Sequence, residues 1–293
     1  MAFIRLYKDT DFDACAQIVR RPSSPGFGDD IPAVVFIIHP PMDAFQQTKE
    51  TTIVVIEKRL TDNPIQCIAT LPPTLASSPA AAKLSPYLWT HPYTFLSPST
   101  CHVLDDGTGT AVGYCIGCPD VHAFVADYER YIKAILSRDV EAPAFDTREP
   151  WMVPVDTKNK PISTGGDGPP QDSPGGDNAT AMQMNPRALA QNAYRADWML
   201  LEGILGAVAK RWRATMHIDL LPAWQGQGWG RQLIERFVAS VVSSGQDYGQ
   251  GEHIGVAGEN SKVVPFYEKV GFRVVEGGER EGNIIMVRDI GKF

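Results

Sequence analysis

Cysteine is scarce and odd in number, five in 293 residues, which speaks against a disulfide framework and points to a reducing compartment. Long apolar runs are missing: the longest, Ala33 to Ile38, falls far short of the ~20 residues that span a bilayer. Residues Met1 to Asp9 lack the basic-then-apolar order of a signal peptide. Positive charge is in deficit, 27 Lys and Arg against 34 Asp and Glu for a net −7. That balance speaks against docking on nucleic acid or an anionic membrane by bulk charge, although a local basic patch can still hold a phosphate-bearing cofactor. These absences predict a soluble cytoplasmic (or nuclear) protein. What is present is ordinary for a globular chain, 43% hydrophobic residues, enough for a sizeable core. The length fits two domains or one large α/β domain with insertions.

Along the chain, residues 3–7 read as a first strand and Thr10 to Arg20 as a helix with an acidic start. A Pro/Gly/Ser/Asp loop follows to Pro32. Ala33–Ile38 and Thr51–Glu57 look like β segments around a short helix at Asp43–Lys49. Six prolines between Pro72 and Pro98 predict an irregular connector. Cys101–Leu104 and Ala111–Gly117 flank Asp105-Asp106-Gly107-Thr108-Gly109, a hairpin by its turn chemistry. Apolar residues from Val121 to Leu136 recur at helical spacing. Between Pro161 and Gly176, nine of sixteen residues are Pro or Gly, a composition that cannot offset its ordering entropy by burial. The stretch 141–185 is therefore expected to be a mobile insertion, either a tolerated surface loop or a lid. Then come a helix from Pro186 to Trp212, a strand Thr215–Leu221, a Gly-rich turn and a helix to Ser243. A strand at His253–Val256, a helix at Asn260–Val270 and strands near 272–275 and 284–288 complete the chain.

One run carries chemistry: His217-Ile218-Asp219-Leu220-Leu221-Pro222-Ala223-Trp224-Gln225-Gly226-Gln227-Gly228-Trp229-Gly230-Arg231-Gln232. A strand ends at Pro222 and a helix begins near Gly228. Glycines in such a turn let backbone approach a ligand, and unpaired N–H groups with the helix dipole attract an anion. The spacing is not a dinucleotide GxGxxG, and the Lys-Ser/Thr of a P-loop is absent, so a tight strand–helix turn remains the alternative. Thirty residues after Gly230 stands Asn260, followed by Phe266-Tyr267-Glu268-Lys269-Val270-Gly271-Phe272.

These two segments, in this order, resemble the GNAT superfamily of acetyl-CoA-dependent N-acetyltransferases. Gln225 to Gly230 is similar to its pyrophosphate loop, and Asn260 with Phe266 to Phe272 to its later segment. Gly113 to Asp120, Phe124 and His217 to Pro222 look like the branch containing the acetyltransferase-like domain of O-GlcNAcases and its stand-alone relatives. The resemblance implies a mixed α/β GNAT fold: a central, mostly antiparallel twisted sheet flanked by helices, one domain over 1–293. Residues 22–98 would be an irregular decoration and 141–185 the Gly/Pro-rich insertion.

The resemblance further implies direct acetyl transfer from acetyl-CoA to an amine, with no metal. N–H groups of 226–231 would hold the pyrophosphate, with Gln225 and Gln232 at its edges. Leu220 and Leu221 would offer backbone groups to the pantetheine and thioester oxygen. Asn260 and Phe266 would contact the cofactor, and Tyr267 would protonate the departing thiolate or else pack as a core aromatic. A lysine-like amine is only ~1 in 2,500 neutral at pH 7, a handicap of about 4.6 kcal/mol, whereas an amine of pKa ~8 loses about 1.4 kcal/mol. Candidate bases are Asp120, which could instead cap a loop, and Asp219, a strand carboxylate that needs a partner or a cleft. Asp219 shares a face with His217 and Leu221. The acceptor expected from the branch is an amino sugar such as glucosamine. Protein or peptide lysine and a non-catalytic acetyl-CoA- or sugar-binding sensor are the alternatives, and a homodimer is possible. Cys115-Ile116-Gly117-Cys118 has redox or zinc spacing, but residues three apart in a strand face opposite ways. The six histidines show no ligand spacing.

Overall fold

The apolar strand segments assemble into one seven-stranded sheet in the computed structural model, which describes residues 1–11, 14–15, 78–154, 182–280 and 283–291. The strands in chain order are β1 (Phe3–Leu6), β2 (His102–Asp105) and β3 (Ala111–Cys118). A short separate antiparallel pair follows, β4 (Met152–Pro154) and β5 (Met182–Met184). The main sheet resumes with β6 (Ala214–Leu220), β7 (Gly251–Ala257), β8 (Arg273–Arg280) and β9 (Asn283–Asp289). Its order is β1-β2-β3-β6-β7-β9-β8. All neighbours run antiparallel except β6 and β7, which are parallel. The described elements belong to a unit made of residues 1–23 and 68–293. The expected loop at 21–32, the segments at 33–57 and the stretch Pro161 to Gly176 lie outside the described residues, as does most of the helix expected to Arg20.

The hairpin between β2 and β3 forms where its turn residues place it. Gly107 and Gly109 both have φ of +94°, and the Asp105 carboxylate accepts both their N–H groups, at 2.8 and 3.0 Å. Arg5 of β1 ties this turn down by pairing with Asp105 at 2.8 Å and Asp11 at 2.6 Å.

The expected irregular connector before Pro98 is corrected: it contains helices α1 (Pro79–Trp89) and α2 (His91–Leu96). The prolines do not prevent them, because Pro79 and Pro92 occupy first-turn positions whose N–H would have no partner anyway. Pro86 sits inside α1 and deprives the Ala82 carbonyl of its donor, and the Ser85 hydroxyl replaces it at 2.7 Å. The helical stretch expected at 121–136 is α3 (Val121–Ala126) and α4 (Tyr128–Tyr131), continuing through a π-turn at Ile132–Leu136. The single helix expected from Pro186 to Trp212 is three: α5 (Pro186–Tyr194), α6 (Ala196–Leu200) and α7 (Gly203–Ala209). The breaks fall at Arg195, with non-helical dihedrals, and at Gly203, with φ of +58°.

The ends of the insertion are built into the fold, which narrows the expected mobile stretch. β4 pairs with β5, and Gln191 of α5 donates to the Ala144 and Thr147 carbonyls at 2.6 and 2.8 Å. After β6 comes α8 (Trp229–Ser243), whose buried Leu233, Ile234, Phe237 and Val241 recur at helical spacing and pack on β2, β3 and β6. Gly117 of β3 allows this close approach, since a Cβ there would lie 2.9 Å from the Phe237 ring. Helix α9 (Val264–Lys269) follows β7 through a 3₁₀ turn at Gly258–Val263. Among the described residues no helix is long and apolar enough to cross a membrane.

Candidate functional site

The parallel strands β6 and β7 are joined at only two rungs, Ala214 to Glu252 and Thr215 to His253. Beyond them the strands part. On its other side β6 stays paired with β3 as far as Gly113–Leu220. The Leu221 N–H donates to the Val112 carbonyl at 3.0 Å, which fixes the phase of that ladder. Antiparallel alternation then turns the N–H and C=O groups of Ile218 and Leu220 away from β3, into the gap.

The loop leaving β6 forms a cradle at the mouth of this gap. Gly226 and Gly228 adopt φ of +71° and +83°, and a Cβ on either would meet nothing within 4 Å. Gln225 and Gln227 brace the loop by donating to the Leu220 and Ala223 carbonyls, each at 2.7 Å. Among the described residues the N–H groups of 226–231 have no hydrogen-bond partner. They stand at the N-terminus of a 15-residue helix, with the exposed side chains of Arg231 and Gln232 beside them. Open space, unpaired N–H groups and a helix dipole fit a pyrophosphate. Gly230 accommodates Phe266, whose ring would stand 3.0 Å from a Cβ there.

Tyr267 of α9 lies against Phe266 and Phe272, with ring centroids at 5.2 and 5.5 Å. Burial raises its phenol well above the ordinary value, and the nearby Asp219 charge raises it further. The group is thus a firmly protonated donor. Asn260 lies in the 3₁₀ turn between β7 and α9 with non-helical dihedrals.

The strand carboxylate Asp219 accepts a hydrogen bond from the Tyr114 hydroxyl at 2.7 Å. Tyr114 is its register partner on β3 and is wholly buried. His217, two residues earlier on the same face, meets Tyr93 of α2 edge-on at 5.0 Å. Tyr93 stacks on Phe124 of α3 at 4.7 Å. Sequence reasoning noted the face of His217 without giving it a role. The needed signal was the point where β7 departs from β6, which no local pattern carries.

Two expectations are corrected. The Leu221 N–H is not free, being held by Val112, and its carbonyl already accepts from the Trp224 N–H at 2.8 Å, which leaves one lone pair there. Leu220 keeps its N–H, and its carbonyl already accepts from Gln225. Asp120 is not a free base: it caps α3 by accepting the His122 N–H at 2.9 Å and forms a two-pronged pair with Arg213 at 3.0 and 2.7 Å. Cys115 and Cys118 are buried free thiols of β3, and among the described residues no His, Cys, Asp and Glu cluster could hold a metal.

Residues 194–274 match the family model described as an acetyltransferase (GNAT) domain. The whole chain is similar to the crystal structure of SsHAT, with 21% identity, a TM-score of 0.57 and 99% of each chain covered. Lower similarity extends to a crystal structure described as that of acetyltransferase (13% identity, TM-score 0.41, 99% of this chain and 100% of that one). It extends also to Chaetomium thermophilum Naa20 in complex with a bisubstrate analogue (14% identity, TM-score 0.31, 68% and 70%). The mixed sheet with its parting strands and the open cradle at the start of α8 lie in a fold shared with SsHAT, and residues 194–274 of this chain match an acetyltransferase (GNAT) domain.

Proposed function

We propose that the protein is an acetyl-CoA-dependent N-acetyltransferase acting on a primary amine, with an amino sugar such as glucosamine as acceptor. The observation that carries this reading is the gap between β6 and β7, with unpaired N–H groups at one end and Asp219 and Tyr267 at its sides. Bound acetyl-CoA supplies a thioester whose acyl carbon is the electrophile. The N–H groups of 226–231 hold the pyrophosphate, and the N–H of Leu220, turned into the gap, donates to the thioester oxygen as charge builds there. Asp219, oriented by Tyr114, binds the acceptor nitrogen and takes its proton. As the C–N bond forms and the C–S bond breaks, the Tyr267 phenol gives its proton to the departing sulfur. A single carboxylate suits an amine of pKa ~8, whose deprotonation costs about 1.4 kcal/mol at pH 7, better than a lysine at about 4.6 kcal/mol.

The test is CoA release from acetyl-CoA with glucosamine, against a control without acceptor. Saturable release supports both the chemistry and the amino-sugar class. No release above background removes glucosamine, and activity on a lysine peptide instead would reassign the acceptor. Acetyl-CoA binding, read from the fluorescence of Trp229 beside the cradle, without turnover on any amine, would favour a sensor.

A further inference from the structure

His217 is the first side chain on its face of β6 beyond the last rung that joins β6 to β7, Thr215 to His253. It therefore stands at the apex of the gap. Its ring is half-buried and held by the rigid wall of Tyr93 and Phe124, both of which are almost wholly buried. Neither of its ring nitrogens has a hydrogen-bond partner among the described residues. Enclosure and the neighbouring His253 lower its pKa to about 4, so at neutral pH it offers one N–H donor and one nitrogen acceptor. Asp219 follows two residues later on the same face, about 7 Å along the strand. A ligand held at the apex thus meets a neutral donor–acceptor and a carboxylate at once.

We infer that His217 reads a hydroxyl adjacent to the acceptor nitrogen, so that the preferred acceptor is a vicinal amino alcohol rather than a plain alkyl amine. A hydroxyl both donates and accepts and so satisfies a neutral imidazole, while the nitrogen next to it falls to Asp219. This inference rests on the proposed reading of the gap; glucosamine carries such hydroxyls, and what is added is the residue that recognises one and the wider class of acceptors it admits. It assigns His217 to acceptor binding and leaves proton transfer to Asp219 and Tyr267.

A minimal pair of acceptors tests it: trans-2-aminocyclohexanol and cyclohexylamine, each compared per concentration of neutral amine because the hydroxyl also lowers the amine pKa. The native protein is expected to favour the amino alcohol about 10-fold in kcat/KM, mostly through KM, as one hydrogen bond to a ligand hydroxyl provides. The preference should persist within about 3-fold in His217→Gln, whose amide also donates and accepts, and vanish in His217→Leu. A native protein without the preference, or a His217→Leu variant that keeps it, would overturn the inference. Absence of turnover on both amines would count against N-acetyl transfer, and His217 is then judged by binding. With CoA present, the amino alcohol should bind about 10-fold more tightly than cyclohexylamine and shift the His217 imidazole ¹⁵N resonances. Equal affinities, or unmoved resonances, would overturn it.

Discussion

Glu252 gives the sharpest test of how this core is assembled. Its side chain is fully buried at the first rung between β6 and β7, and neither carboxylate oxygen has a hydrogen-bond partner. The Arg288 Nη1 stands 3.4 Å away. One cation at that distance does not replace the lost hydration, and burial raises the carboxyl from 4.5 to about 8, with Arg288 opposing. Between those values the native state keeps a proton that the unfolded chain has already released. The unfolded state binds fewer protons in that window, so stability falls as pH rises from 4.5 to about 8. At ~1.4 kcal/mol per pH unit, this interval amounts to about 5 kcal/mol. Glu252→Gln removes the titration and keeps the shape, and any constant penalty for burying the amide cancels when two pH values are compared. The stability of the variant relative to the native protein is therefore expected to grow by about 5 kcal/mol between pH 4.5 and 8.5. At about 2 °C per kcal/mol for a chain of this size, that is roughly 10 °C in a thermal scan. Two curves separated by the same gap at every pH would mean that Glu252 is ionised and paired with Arg288 at neutrality, and the reasoning would be wrong.

Other outcomes follow from the same structure. His102 and His253, nearly wholly buried, are lowered by burial from 6.5 to about 4; each unfolded imidazole binds a proton before its native counterpart, so each contributes about 3 kcal/mol of lost stability as pH falls from 6.5 to 4. Their imidazole resonances should stay unshifted between pH 7 and 5.5, and titration of either near 6.5 would contradict the burial argument. Tyr267→Phe should lower turnover about 100-fold while leaving the acetyl-CoA dissociation constant within a factor of three, and unchanged turnover would remove its assigned role. Asp120→Ala should destabilise the fold by about 2 kcal/mol, through loss of the α3 cap and of the Arg213 pair, while leaving the kcat of folded protein close to native; a large fall in kcat would restore Asp120 as a candidate base. Gly228→Ala meets no neighbouring atom but forces a Cβ into φ of +83°, so about 1 kcal/mol of strain and weaker acetyl-CoA binding are expected, measured by urea titration and calorimetry.

The parts of this protein that could be read in its sequence are those governed by local chemistry. The β2–β3 turn follows from two glycines and the aspartates before them, and α8 follows from its apolar spacing and the glycines at its start. The α1 and α2 helices were hidden because prolines read as breakers unless their place in the first turn is known, and because the Ser85 repair of the Pro86 defect is a side-chain bond. Helical periodicity across 186–212 gave no sign of the breaks at Arg195 and Gly203, since the apolar stripe continues through them. Leu221 was misassigned because its N–H is claimed by Val112, more than a hundred residues away. Glu252 reads as the polar start of a strand, and only the arrival of β6 and β9 on either side encloses it.

On the proposed reading, the two faces of β6 let one short strand serve both substrates. Leu220 points to the α8 side, where it meets Gly230 beside Phe266, and this is the side on which the cradle opens. His217 and Asp219 point to the other side, towards Tyr93 and Tyr114. Period-two alternation thus sends alternate residues to the cradle side and to the His217–Asp219 side, which the proposed function assigns to cofactor and acceptor. An insertion of one residue before Asp219 would exchange the two sets while leaving composition unchanged. A one-residue insertion in the exposed Pro222–Trp224 turn would shift the cradle alone. The first change should abolish both acetyl-CoA binding and transfer in any protein that remains folded, and the second should weaken cofactor binding while leaving the His217 and Asp219 side intact, as acceptor binding read by NMR would show.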